Sequence, residues 1–305
     1  MKDFLAISDY SPAELQSMLD LALNLKAEWK ESGNPPLLKN KVLAMIFQKP
    51  SLRTRVSFDM AMRHLGGDAL YLSPAEIGLG KRESIADVAR VVSGYVDIVM
   101  ARVFDHDHVL ELGRWAEIPV INGLSDYNHP CQAMADALTI QEEFGSLQDV
   151  QVSYIGDGNN VAVSLMQVCA KLGANFTIAA PDGYQLDQRI LKEAGNYAAS
   201  SGSIIKQVTD PREAVQGAQV IYTDTWISMG QSEEAENRRR VFPPYQVNLD
   251  LVGQAESDVI VMHCLPAHRG EEITDEVADG PHSRLFPQAH NRLHAQKAIL
   301  VKLLS

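Results

Sequence analysis

Val42-Leu43-Ala44-Met45-Ile46-Phe47 is apolar at every position and runs straight into the polar, basic segment Gln48-Lys49-Pro50-Ser51-Leu52-Arg53-Thr54-Arg55. A short strand without polar alternation is covered on both faces, as in a parallel sheet between helices. The pattern recurs at residues 97–101 (DIVMA), 119–122 (PVIN), 152–155 (VSYI), 176–180 (FTIAA), 220–223 (VIYT) and 259–262 (VIVM). Amphipathic stretches such as residues 83–95 and 130–144 lie between them. Upstream, Ser11, Pro12 and Glu14 open a helix with a capping box, and Leu15, Met18, Leu19, Ala22, Leu25 and Trp29 form its buried stripe.

Strands alternating with helices predict an α/β chain made of two doubly wound parallel-sheet domains. A length of 305 residues suits two domains, each large enough to bury its own core. The polar stretch 145–149 is the expected boundary, giving domains 1–148 and 149–305. With 27 basic and 39 acidic side chains the formal charge is −12, which argues against a nucleic-acid groove or an acidic-membrane binder. A local arginine cluster for a small anion remains compatible with it. Three cysteines exclude a disulfide scaffold and suggest a reducing compartment. The apolar runs are far shorter than a spanning helix needs, and the start lacks a basic head followed by an apolar run. A cytoplasmic protein is the expectation.

In open α/β sheets ligands bind beyond the carboxyl ends of the strands, so the residues after each strand matter most. Those positions hold Ser51, Arg53, Thr54 and Arg55; Arg102; His129 and Gln132; Asn159 and Asn160; Asp224; and Cys264. Ser51 can cap a helix that runs to the stop Gly66-Gly67, and a helix start with two hydroxyls and arginines suits phosphate. The bland reading is a capped helix with solvated arginines. His129-Pro130-Cys131-Gln132 opens another helix; its imidazole could donate to a carbonyl and the Gln132 amide accept from an NH2 group. Gly156-Asp157-Gly158 begins like a dinucleotide fingerprint, but the third glycine is absent. His263, Cys264 and His268 have no matching pair elsewhere in sequence, so no metal site is expected. The charge run 232–240 (SEEAENRRR) reads as a solvated loop or helix, and its neighbour Ser228-Met229-Gly230 makes it a candidate lid.

SLRTR, HPCQ, DTWISMG and HCLPAHRG, in this order, resemble the ornithine branch of the carbamoyltransferases across nearly the whole chain. SxRTR and HPxQ are common to all carbamoyltransferases, whereas DxWxSMG and HCLP are specific to that branch. The resemblance implies transfer of a carbamoyl group from carbamoyl phosphate to the δ-amine of L-ornithine in arginine metabolism, without metal or organic cofactor. It implies an active site in the cleft between the domains and a C-terminal helix that packs back on the first. It assigns Ser51, Leu52, Arg53 and Thr54 to the phosphate. Arg102, His129, Pro130, Cys131 and Gln132 go to the carbamoyl group, with Cys264, Leu265 and Arg292 as further carbamoyl phosphate contacts. Arg102, His129 and Cys264 become the catalytic set, and Arg55 is expected to be structural. Asn160, Asp224, Ser228 and Met229 match ornithine-binding positions.

Two departures stand out. Leu52 replaces a commoner threonine, and Gly78 occupies the place of a glutamine that reaches a neighbouring subunit's site in many members. The family is built on a homotrimer or multiples of trimers. Competing activities are transfer to N-acylornithine or putrescine; aspartate would need extra cations for its second carboxylate. Outside that class, the alternatives are a carbamoyl-phosphate-binding protein without turnover and a dinucleotide-binding protein, the second disfavoured by the broken glycine fingerprint.

Overall fold

The computed structural model describes residues 2–227 and 234–305. The chain divides into two compact units, Met1–Leu138 with His290–Ser305, and Thr139–Ala289. In the first, β1 (Val42–Phe47), β2 (Asp68–Leu72), β3 (Ile98–Arg102) and β4 (Val120–Leu124) form a sheet in the order β2-β1-β3-β4. In the second, β5 (Gln151–Ile155), β6 (Asn175–Ala179), β7 (Ile205–Val208), β8 (Val220–Thr223) and β9 (Ile260–His263) pair in the order β7-β6-β5-β8-β9. Every pairing is parallel. This is the two-sheet α/β architecture read from the sequence.

The strand order reverses between β1 and β3 in one sheet and between β5 and β8 in the other. At such switch points the crossover helices leave on opposite faces and open a crevice at the strand ends.

The continuous apolar runs are explained by burial on both faces. Ala44, Ile46, Val99 and Ala101 pack with Ile85, Val88 and Ala89 of the helix Ile85–Ser93 and with Val109 and Leu112 of the helix His106–Trp115. In the second unit Ile155, Ile221 and Val261 pack with Trp226, Phe242, Leu251 and Val252. Ser11 caps the helix Pro12–Glu31 with the expected capping box, and Leu15, Met18, Leu19, Ala22 and Leu25 are its buried stripe. Trp29, expected in that stripe, is exposed.

β2 and β7 escaped the sequence reading. Both are edge strands with partly exposed side chains, so neither shows an unbroken apolar run. The unit division falls between Leu138 and Thr139, inside the helix Pro130–Phe144. Residues 290–305, most of the helix Leu285–Leu304, cluster with the first unit. Among the described residues no helix is long and apolar enough to cross a membrane.

Candidate functional site

Sheet register decides which side chains of the first unit meet. Phe47 at the end of β1 pairs with Arg102 at the end of β3, and Gln48 N–H donates to the Arg102 carbonyl at 2.8 Å. Beyond β1 the chain turns at Pro50 and starts the helix Leu52–His64, with Ser51 as N-cap and its hydroxyl accepting from Thr54 N–H. The free amides of a helix start therefore lie at the switch point between β1 and β3.

Thr54, fully buried, is the hub. Its Oγ1 lies 3.0 Å from the Ser51 hydroxyl, 3.1 Å from Arg292 Nη2 and 3.4 Å from Arg102 Nη1. Three donors converge on an oxygen that has two lone pairs. Arg53, half-buried next to it, makes no hydrogen bond or ion pair among the described residues. Arg292 also donates through Nη1 to Gln132 Oε1 at 2.8 Å, and Gln132 Nε2 donates to Asp136 at 2.8 Å. The Gln132 amide is thus oriented, with its oxygen toward the arginine. Two guanidinium groups and a hydroxyl gather on one buried oxygen at a helix start, a donor set of the kind that suits an anion.

β4 delivers the remaining groups through a turn built on Asn122, Ser125 and Asn128. Asn122 Nδ2 donates to Asn128 Oδ1 and to the Leu5 carbonyl, and Ser125 N–H donates to the Asn128 carbonyl. His129 follows, buried against Arg292 and Arg102. Burial first, then those two cations, hold its pKa well below the ordinary value. The ring is neutral at physiological pH and can donate a single N–H to a carbonyl oxygen. Cys131 is buried, its thiol donating to the Asn122 carbonyl at 3.3 Å, and burial pushes its pKa up to about 12. It is inert as a nucleophile. Leu52 is 76% exposed, so its side chain holds nothing and only its backbone amide is offered at the helix start. Arg55 lays its guanidinium 4.0 Å over the ring of Tyr71 on β2, the kind of partner a structural arginine needs.

In the second unit Ile155 at the end of β5 pairs with Thr223 of β8, and Thr223 pairs with His263 of β9. That register sets Asp224 between the β5 turn and Cys264. Asp224 Oδ1 accepts from Thr225 N–H at 2.8 Å and from the Cys264 thiol at 3.0 Å. Its Oδ2 accepts from Asn159 Nδ2 at 2.8 Å. Asn159 Oδ1 meanwhile caps the helix Asn160–Leu172, accepting from Val161 and Ala162 N–H. One amide therefore starts the helix and orients the carboxylate. Asn160 is the first residue of that helix, and Leu265 sits in the left-handed region at φ 58° beside Cys264.

The sequence reading placed both Asn159 and Asn160 at a strand end but gave an ornithine role to Asn160 alone. Asn-Asn before an apolar run was a capping signal, but its second use needs the β5–β8 pairing. Gly158 has a packing reason: a Cβ there would lie 2.7 Å from Leu186 N, 2.8 Å from the Gln185 carbonyl carbon and 2.9 Å from the Tyr184 carbonyl oxygen. No dinucleotide is needed to explain it.

The charge run 232–240 is not wholly solvated. Arg238 is 4% exposed, donating to Asp157 at 2.8 Å and to the Trp226 carbonyl at 2.9 Å, with its guanidinium over the ring of Tyr184. Burial raises the Asp157 pKa, and Arg238 opposes that rise. The helix Ala235–Val241 turns this one arginine inward while Arg239 and Arg240 stay outside. Ser228 and Met229 lie outside the described residues.

Among the described residues two groups bring possible metal-ligand atoms within 4.8 Å of one another, Asp224 with His263 and Cys264, and His268 with Glu271 and Glu272. Sequence spacing could not show the third member of the first group. Several of these atoms already hold each other, as in the Cys264–Asp224 bond.

Fold and site define an α/β protein with two buried arginines gathered on Thr54 at one switch point and an oriented carboxylate at the other. Residues 2–142 match the carbamoyl-P binding domain of aspartate/ornithine carbamoyltransferase, and residues 148–303 its Asp/Orn binding domain. Among curated relatives, the ornithine carbamoyltransferase of Pyrococcus abyssi is 55% identical over 304 residues, covering 99% of this chain and 96% of that protein. The anabolic ornithine carbamoyltransferase of Pyrococcus furiosus is 54% identical, with coverages of 99% and 96%. A solved structure of ornithine carbamoyltransferase from Pyrococcus furiosus superposes with a TM-score of 0.97 at 54% identity, covering 99% of this chain and 97% of that one. The chain belongs to the aspartate/ornithine carbamoyltransferase family.

Proposed function

We propose that the chain transfers the carbamoyl group of carbamoyl phosphate to the δ-amine of L-ornithine, releasing L-citrulline and phosphate. The observation that carries this is the convergence of Ser51, Arg102 and Arg292 on Thr54 beside Arg53, in the half of the chain that matches the carbamoyl-P binding domain. The relatives named above, with more than half of the positions identical, favour ornithine as the acceptor.

In this reading the helix start at Ser51, Leu52, Arg53 and Thr54 holds the phosphate, with Arg292 behind it. Arg102, neutral His129 and Gln132 hold the carbamoyl group, Pro130 and Cys131 shaping the turn that presents them. A free δ-amine has a pKa near that of lysine, about 10.4, so it must shed a proton before attack. Asp224, Cys264 and the Leu265 backbone orient it, and Asn160, Ser228 and Met229 read the amino-acid end.

The amine nitrogen attacks the carbamoyl carbon and a tetrahedral intermediate forms. Negative charge on its oxygen is met by Arg102, His129 and the Thr54 hydroxyl. The carbon–oxygen bond to phosphate then breaks, and the phosphate accepts the amine's proton. Atoms balance without a cofactor or a covalent enzyme intermediate. Asp224 also weighs against aspartate as acceptor, since a buried carboxylate repels a second anion. Putrescine would leave the groups that read the amino-acid end without partners.

The same reading includes a homotrimer, alone or in multiples, an anabolic role like that named for the Pyrococcus furiosus relative, and a cytoplasmic location consistent with the cysteine usage.

Mixing the protein with carbamoyl phosphate and L-ornithine yields citrulline and phosphate one for one. Arg53→Ala removes charge-assisted bonds of about 2–3 kcal/mol and weakens carbamoyl phosphate binding about a hundredfold. Phosphate release without citrulline, or unchanged affinity in the variant, contradicts the proposal.

A further inference from the structure

We infer that Glu272 is a positioning residue for the reacting loop 263–268, holding Cys264 and Leu265 in place by fixing the tautomer of His263. The inference rests on the reading of Cys264 and Leu265 as groups that orient the amine.

Glu272 and His263 are both fully buried. Glu272 Oε1 lies 2.9 Å from His263 Nε2 and accepts from the His268 backbone N–H at 2.6 Å. The other ring nitrogen, His263 Nδ1, accepts from the Leu265 backbone N–H at 2.9 Å. A neutral imidazole has one donor and one acceptor nitrogen. Since Nδ1 accepts, the proton sits on Nε2, and a carboxylate, which can only accept, enforces that assignment. The His263 backbone N–H is tied in turn to Gln288 Oε1 at 2.8 Å.

The consequence falls on Leu265. A branched side chain at φ 58° is in a sparsely populated region and persists only where its surroundings hold it. The bond from its N–H to His263 Nδ1 is such a support. Between these two residues stands Cys264, whose thiol donates to Asp224. A single carboxylate thus ties residue 263 to residue 268 and sets the geometry of what lies between. A metal reading of Glu272 with His268 and Glu271 is weaker, because Glu271 pairs with Arg239 at 3.0 Å and His268 Nδ1 lies 2.9 Å from Thr225 Oγ1. In metalloenzymes, a carboxylate behind a ligating histidine does the same work of fixing tautomer and ring orientation.

The test compares Glu272→Gln and Glu272→Leu with the wild-type protein. The Gln amide oxygen can accept from the same two donors, so Glu272→Gln keeps kcat within about tenfold, whereas Glu272→Leu loses about a hundredfold. Carbamoyl phosphate affinity changes less than kcat in both, because Ser51, Arg53 and Thr54, which hold the phosphate in the proposed function, belong to the other unit. Cys264 is the half-exposed cysteine, Cys131 and Cys169 being buried, so the rate of alkylation by iodoacetamide reads the loop directly. That rate shifts in the Leu variant and not in the Gln variant. Wild-type kcat and alkylation rate in folded Glu272→Leu would overturn the inference.

If that variant does not fold, nitrogen chemical shifts of His263 in the unaltered protein decide, with a protonated Nε2 expected and a protonated Nδ1 contrary. Alkylation and tautomer need no turnover. They therefore stand or fall separately from the assignment of ornithine as substrate.

Discussion

Cys264 shows how a residue's neighbours set its role. Its thiol donates to Asp224, which also accepts from Asn159 and Thr225, so sulfur and carboxylate form one hydrogen-bonded unit. A serine hydroxyl can donate in the same place. Cys264→Ser therefore keeps measurable turnover, with kcat reduced by no more than about a hundredfold in a citrulline assay. Complete loss with a trapped carbamoyl-enzyme contradicts the positioning role. His129 was legible as a polar group opening a helix, but not as a neutral one. Its neutrality comes first from burial and then from Arg292 and Arg102, of which Arg292 lies 163 positions along the chain (292 − 129) and is brought there only by the fold. The second use of Asn159 was hidden for the same reason. Local sequence shows a cap; the bond to Asp224 spans two strand ends.

At the scale of elements, strands buried on both faces were readable because burial leaves no room for polar alternation. The runs 42–47 and 220–223 coincide with β1 and β8. β3 extends one residue beyond its apolar run to include Arg102, held by its ladder to β1. β2 and β7 were not readable, since an edge strand shares its surface with water. The switch-point logic then explains why polar residues after β1, β3, β5 and β8 matter most. The departure at Gly78 also has an element-level cause. It ends the short helix Pro74–Ile77 at φ 55°, and a Cβ there would come within 2.9 Å of Arg82 Cβ. This turn is built for glycine, so a glutamine cannot replace Gly78 without a shift of Arg82.

At the scale of the whole chain two divisions differ: the two family domains meet between residues 142 and 148, at the polar stretch, and the compact units meet elsewhere. Hydropathy marks where a helix ends, whereas the contacts divide inside the helices Pro130–Phe144 and Leu285–Leu304. The second of these brings not only Arg292 but His294 and Lys297 into the first unit. Burial and then the nearby cations Lys297, Lys26, His64 and Lys30 lower the His294 pKa to about 3. His64, stacked on Trp29, is lowered to about 4 by burial and Lys297.

The sign of the pH effect follows. Above the ordinary value of 6.5 the ring is neutral in folded and unfolded chains alike. As pH falls through that value the unfolded chain takes up a proton that the folded one refuses, so stability drops until the folded pKa is reached. Between about pH 7.5 and about pH 5 the wild-type protein should lose more melting temperature than His294→Gln. Equal losses contradict the buried neutral assignment.

The proposed function gives carbamoyl phosphate to one half of the chain and free ornithine to the other. It is tested most directly by colorimetric detection of ureido product from carbamoyl phosphate with L-ornithine, N-acetyl-L-ornithine, putrescine and L-aspartate in separate reactions. Product with L-ornithine alone is the predicted result. Preference for another amine would leave the role of the arginines on Thr54 standing and contradict the roles given to Asp224, Asn160, Ser228 and Met229; no product with any amine would contradict catalysis itself.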